Sequence, residues 1–152
     1  MHDYRRILAV VDFSDTGSAV ARRAVKLARL GRAELAFLHL IEPDTGLDGG
    51  YPSPSRSASE QGFEQAALRR LAFLAANLDA GEAQLLARYG KPRDAFAASI
   101  ANWRPDLVVA RDDPGFLGGR HDLLTLGRST GAGKVKRFLH QLMAPIGLLT
   151  GV

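Results

Sequence analysis

Two places in this 152-residue sequence carry side chains suited to holding a ligand. The first is Gly127-Arg128-Ser129-Thr130-Gly131-Ala132-Gly133-Lys134. Glycines let backbone N–H groups approach an anion, hydroxyls donate hydrogen bonds, and Lys134 adds positive charge, so the chemistry suits phosphate. It is not a P-loop: five residues rather than four separate Gly127 from Gly133, and Val135 rather than Ser or Thr follows Lys134. The competing reading is a flexible glycine-rich linker. The second place is Asp12, which ends the apolar run Ile7-Leu8-Ala9-Val10-Val11. If that run is a parallel strand, Asp12 lies at the carboxyl edge of the sheet, where ligands bind in such folds. Its competing role is to cap the helix that follows.

Other reactive side chains read more weakly. Asp112 and Asp113 are adjacent acids that could serve acid–base chemistry or hold magnesium, but in an Asp-Pro-Gly loop such acids are usually just solvated. Ser14 and Ser129 have no base evident in the sequence. His39 lies among apolar neighbours and reads as a satisfied core histidine, while His121 and His140 lack a partner at metal spacing, so no metal site is expected. Zero cysteines exclude disulfides, thiolate nucleophiles and cysteine-ligated metals. No catalytic residue is assigned, and the expectation is a non-enzyme, with slow ATP hydrolysis left open.

The elements that must position these residues follow from apolar pattern and punctuation. Ile7 to Val11 is a continuous apolar run that suits a strand covered on both faces. Ser14, Asp15 and Thr16 offer caps for a helix with Ala19, Val20, Ala24, Leu27, Ala28 and Leu30 at helical spacing, stopped by Gly31. Leu35 to Ile41 is a second strand, ended by Glu42-Pro43. Asp44 to Ser59 is rich in Gly, Pro and Ser and reads as a flexible loop, in which Arg56 is the expected first site of proteolysis. A helix over Glu60 to Asn77, a strand over Ala83 to Ala87, a helix from Pro92 to about Trp103 and a strand over Leu107 to Ala110 follow. Asp122 to Gly127 reads as a short helical or irregular piece, with a strand as the alternative. Lys134 to Met143 reads as the last helix and Ile146 to Thr150 as the fifth strand. This alternation predicts a single α/β domain over 1–152, a doubly wound five-stranded parallel sheet with helices on both faces.

Composition narrows the class. An apolar share of 46% and a charged share of 24% are those of a globular domain. No run approaches the roughly 18 apolar residues of a membrane span, and the N-terminal run is too short for a signal-peptide core, so a cytoplasmic protein without membrane contact is expected. The net charge of +4 includes four cations and no acid from Gly127 onward. That tail could attract an anion, but one Trp and no aromatic interleaving argue against nucleic acid.

Several motifs, in order along nearly the whole chain, resemble those of the universal stress protein family. Val11-Asp12-Phe13-Ser14 is similar to its strand running into Asp-x-Ser. Phe37-Leu38-His39-Leu40-Ile41 resembles its second strand, Gly90-Lys91-Pro92 its Gly-x-Pro helix start, Pro105-Asp106-Leu107-Val108-Val109 its fourth strand, and Phe138 to Ile146 its final helix and strand. The resemblance implies a Rossmann-like fold of the adenine nucleotide alpha hydrolase type and a homodimer formed through the last strand. It also implies a stress-response regulatory role and an adenine nucleotide at the carboxyl edge: ATP, with magnesium only alongside ATP. Asp12 would contact the nucleoside, and Leu40 and Ala110 match positions lining the adenine pocket, although ordinary core is the weightier reading for both. Gly127, Ser129, Thr130, Gly131, Gly133 and Lys134 would take the phosphates. One departure stands out. Where ATP-binding members place the first glycines of their motif, directly after the fourth strand, this chain has Arg111-Asp112-Asp113-Pro114. The alternative is therefore a dimeric interaction module of the same family, with an unidentified protein partner, that has lost ATP binding.

Overall fold

Ile7, Leu8 and Ala9 have no polar side-chain group to satisfy, and all three are buried in the central strand β1 (Arg6–Val10). This computed structural model describes residues 4–43, 56–112, 121–127 and 134–137, with 56–58 and 134–137 described by backbone alone. After β1 come α1 (Asp15–Gly31), β2 (Glu34–Ile41), α2 (Arg56–Asn77), β3 (Gln84–Tyr89), α3 (Pro92–Trp103), β4 (Leu107–Ala110), β5 (Asp122–Thr125) and β6 (Lys134–Arg137). The sheet order is β3-β2-β1-β4-β5-β6. The first five strands are parallel, and β6 runs antiparallel to β5.

Successive strand residues point to opposite faces, so the continuous apolar strands feed two cores. Ile7, Ala9, Val11, Phe37, Leu107 and Val109 face α1 and α2, where they meet Val20, Ala24, Leu71 and Ala75. Leu8, Ala36, Leu38 and Val108 face α3 and meet Phe96 and Trp103. Each fully buried large apolar side chain among these contributes about 1.5–3 kcal/mol relative to exposure. The fold is thus the doubly wound α/β arrangement that the alternation predicted.

Several local expectations change. The helix start Ser14 caps α1 by accepting a hydrogen bond from the Gly17 N–H, but Gly31 is not the stop. Gly31 is the last helical residue, and Arg32 takes the left-handed conformation (φ 52°) that satisfies the last carbonyls. Helix α2 begins at Arg56 rather than Glu60, because Pro54 is the last breaker and Arg-Ser-Ala-Ser is compatible with a helix. Arg56 is therefore the first residue of the helix, so the expected loop ends by residue 55 rather than Ser59; residues 44–55 lie outside the described residues. The third strand runs Gln84–Tyr89 rather than over Ala83 to Ala87.

The largest correction is at the end of the chain. The fifth parallel strand is Asp122–Thr125, read from sequence as helical or irregular, and Lys134–Arg137 is a strand rather than the start of the last helix. Leu123 and Leu124 are buried beside β4, which a four-residue run can achieve only in a sheet interior. β6 is the outermost of the described strands, and its sequence Lys-Val-Lys-Arg carries three cations, as edge strands commonly carry charge. The expected helix beyond Arg137 and the expected strand over Ile146 to Thr150 lie outside the described residues.

Candidate functional site

The strand order fixes where a ligand site belongs. From β1 the chain winds outward to β2 and β3, then returns across the sheet to β4 on the other side of β1. The two halves diverge at the carboxyl ends of β1 and β4, leaving a crevice there. A cavity of about 210 Å³ opens at that point. Its lining includes Asp12, His39, Leu40, Phe96, Ala110 and Arg111.

Asp12 is held from both sides. Its Oδ1 accepts hydrogen bonds from the Ser14 N–H, at 3.0 Å, and from the Ser14 hydroxyl. The same hydroxyl oxygen accepts from the Gly17 N–H at 3.2 Å. Capping α1 is therefore the work of Ser14, and Asp12 orients Ser14 rather than capping the helix itself. The other oxygen, Oδ2, faces the Arg111 guanidinium at 3.6 Å. Partial burial pushes the Asp12 carboxyl upward, but the Ser14 hydrogen bonds, with Arg111 and His39 nearby, outweigh it and hold it below the ordinary carboxylate value. The group is a fixed anion at neutral pH.

Arg111 directly follows β4, where the resembled ATP-binding pattern has glycine. Its Nε donates to Asp112 Oδ2 at 2.8 Å, and its carbonyl accepts from the Gly127 N–H at 2.8 Å. His39 is half-buried in the cavity wall; its Nδ1–H donates to the Val11 carbonyl at 2.7 Å, and its ring packs on Phe13 with centroids 4.3 Å apart. One ring nitrogen is thus satisfied, and its place in the cavity wall differs from the core position that its apolar neighbours suggested.

Asp12, Leu40 and Ala110, singled out in the sequence, all line this one cavity. Gly127 is brought beside Arg111 with φ +69°, a left-handed conformation that suits glycine. Lys134 opens β6 opposite Thr125, so the chain leaves β5 and returns to the sheet at the carboxyl edge. Because Lys134 begins a strand, no helix N-terminus at that residue supports phosphate binding. Ser129, Thr130, Gly131 and Gly133 lie outside the described residues, as does Asp113.

Three residues were missed by sequence reasoning. Arg111 was noted only as a departure, and its pairing with Asp12, 99 positions away, required the strand order. Phe96 supplies cavity wall from the first turns of α3. Gly17 permits the whole arrangement: a Cβ there would collide with the Asp12 carbonyl oxygen. A signal was available for Gly17, since glycine in the first turn of a helix costs stability unless close approach requires it. Among the described residues, no three His, Asp or Glu side chains cluster closely enough for a metal ion, and no helix is long and apolar enough to cross a membrane.

Comparison with known proteins agrees with this architecture. The profile of the universal stress protein family matches residues 3–113. A universal stress protein family member from Burkholderia pseudomallei superposes with TM-score 0.54 at 20% identity, over 72% of this chain and 83% of that one. A family protein from Arabidopsis thaliana, solved with AMP bound, gives 0.52 at 15% identity over 82% and 92%. Universal stress protein UspA from Lactobacillus plantarum gives 0.51 at 22% identity over 77% and 86%. No curated protein matches the sequence significantly.

Proposed function

The chain belongs to the universal stress protein family, and on that premise we propose that it is a regulatory protein that binds an adenine nucleotide at the carboxyl edge of its sheet. The observation that carries the reading is the crevice between β1 and β4, where Asp12, Leu40 and Ala110 line one cavity and Asp12 is a fixed anion. A carboxylate so held suits ribose hydroxyls, and Leu40, Phe96 and Ala110 offer apolar wall to a base. The Arabidopsis protein of the same fold, solved with AMP, supports this choice of ligand class.

ATP is one member of that class, with magnesium accompanying it. The second reading, an interaction module that has lost ATP binding, draws on Arg111 and Asp112 standing where glycines would admit a triphosphate. Homodimerisation accompanies both readings. Residues 146–152, from which it was inferred, lie outside the described residues, and the edge beyond β5 is taken by β6. Sedimentation at micromolar concentration tests it, and a monomer alone would count against it.

Calorimetric titration and thermal melts with AMP and with ATP plus magnesium test the main proposal, since a ligand that prefers the native state must stabilise it. Asp12→Ala should weaken binding by roughly 1.5–3 kcal/mol, the range for a hydrogen bond to a charged group. An absence of heat and of thermal stabilisation with every adenine nucleotide at millimolar concentration would leave the interaction module as the better reading.

A further inference from the structure

Resting on the nucleotide reading, we propose that Arg111 holds the first phosphate of an adenine nucleotide, while the carboxylates that flank it, Asp12 and Asp112, disfavour the added charge of a free triphosphate. The position immediately after β4, at the crevice, carries a guanidinium with a carboxylate on each side. Arg111 Nε donates to Asp112 at 2.8 Å, and Nη1 lies 3.6 Å from Asp12. The Asp112 contact occupies one edge of the guanidinium. The Asp12 contact is longer than a hydrogen bond, and the two side chains are 40% and 43% exposed, so water screens the pair and it separates at little cost.

A ribose drawing on Asp12 Oδ2 therefore releases Arg111 toward its own first phosphate. That phosphate gains charge-assisted hydrogen bonds from a planar donor suited to it. Further phosphates gain nothing equivalent at this position. Among the described charged residues lining the cavity, two carboxylates, Asp12 and Asp112, stand against the single guanidinium, so added negative charge meets an excess of like charge within a Debye length.

The test is calorimetric titration of the whole chain with adenosine, AMP and metal-free ATP at one fixed ionic strength. AMP is expected to bind about tenfold more tightly than adenosine, the scale of one charge-assisted contact, and more tightly than metal-free ATP because of the flanking carboxylates. In Arg111→Gln the preference for AMP over adenosine should collapse to within about twofold; in Asp112→Asn, which removes one repelling charge, the preference for AMP over ATP should narrow. Circular dichroism of both variants establishes that they are folded. Metal-free ATP binding as tightly as AMP would overturn the proposal and move the phosphates to Gly127–Lys134. An unchanged AMP-to-adenosine ratio in Arg111→Gln would overturn it too, while leaving nucleotide binding itself intact. If none of the three ligands binds, the underlying nucleotide reading fails with it.

Discussion

The two edges of the sheet differ in how fully their charges are satisfied. The amino edge has the larger cavity, about 700 Å³, with Arg6, Arg29, Glu34 and Trp103 among its lining. There, Arg6 donates to the Trp103 carbonyl through Nε and Nη2 at 2.9 and 2.7 Å, pairs with Glu34, and stacks over the Trp103 ring at 4.1 Å. Asp106 accepts from the Arg5 and Arg6 backbone N–H groups at 2.8 and 3.0 Å. Arg29 donates to the carbonyls closing α2 at 3.0 and 2.7 Å. The carboxyl edge has a cavity less than half that size, yet its central pair, Asp12 and Arg111, is not closed into a direct hydrogen bond. Cavity volume and the state of the central pair thus rank the two edges differently: Arg6 is closed into direct hydrogen bonds at the amino edge, whereas Asp12 and Arg111 stay 3.6 Å apart at the carboxyl edge. The amino edge binds the molecule to itself; the carboxyl edge keeps groups in reserve.

The sharpest way to break this contrast is to damage the amino edge. Trp103 is almost fully buried and anchors Arg6. Trp103→Ala should cost about 3–5 kcal/mol in urea unfolding while leaving nucleotide affinity in the surviving folded protein nearly unchanged. A comparable loss of affinity would mean that the two edges are coupled. At the carboxyl edge, Gly17→Ala should cost roughly 1–3 kcal/mol, because the added methyl pushes α1 away from Asp12, and here nucleotide binding should fall as well. Retained binding would show that Asp12 need not sit where it does.

A smaller effect concerns His121, buried just before the amino end of β5. Its ring packs edge-on against Phe96, and neither ring nitrogen has a hydrogen-bond partner among the described residues. Burial pushes its pKa below the ordinary histidine value, against a smaller upward pull from Asp122. As pH falls below about 6.5 the unfolded chain takes up this proton before the folded one does, so stability declines with acidity, by at most about 1.4 kcal/mol per pH unit for one proton. Urea midpoints from pH 7.5 to 5 should fall, and His121→Leu should flatten that slope. An unaltered slope would assign the acid sensitivity to other groups.

Much of this was legible in the sequence, for reasons specific to each element. β1, β2 and β4 are apolar runs bounded by Asp12, Pro43 and Pro105, and α3 begins at a proline suited to a first turn. Those local signals agree with the fold, so they could be read one at a time. β5 and β6 are four residues each, too short for either periodicity to declare itself, and only pairing with β4 and with each other makes them strands. The site divides in the same way. Asp12 was readable because it ends a strand. Its relation to Arg111 was not, since it comes from β1 and β4 lying side by side, and sequence spacing carries no strand order.

That adjacency also governs when the site comes into existence. β1 pairs with β2, which begins at Glu34, but its other neighbour begins only at Leu107. During synthesis, β1, β2 and β3 can assemble with α1 and α2 while one flank of β1 stands open. Pairings between strands far apart in sequence form late, because a long loop must close before any contact rewards it. A nascent chain halted before Leu107 would thus carry Asp12 with neither Arg111 nor the second wall of its cavity, and would expose the apolar edge of β1 to whatever meets it first. The ribosome, by delaying about a hundred residues, sets the order in which one half of the sheet forms and the crevice beside it then closes.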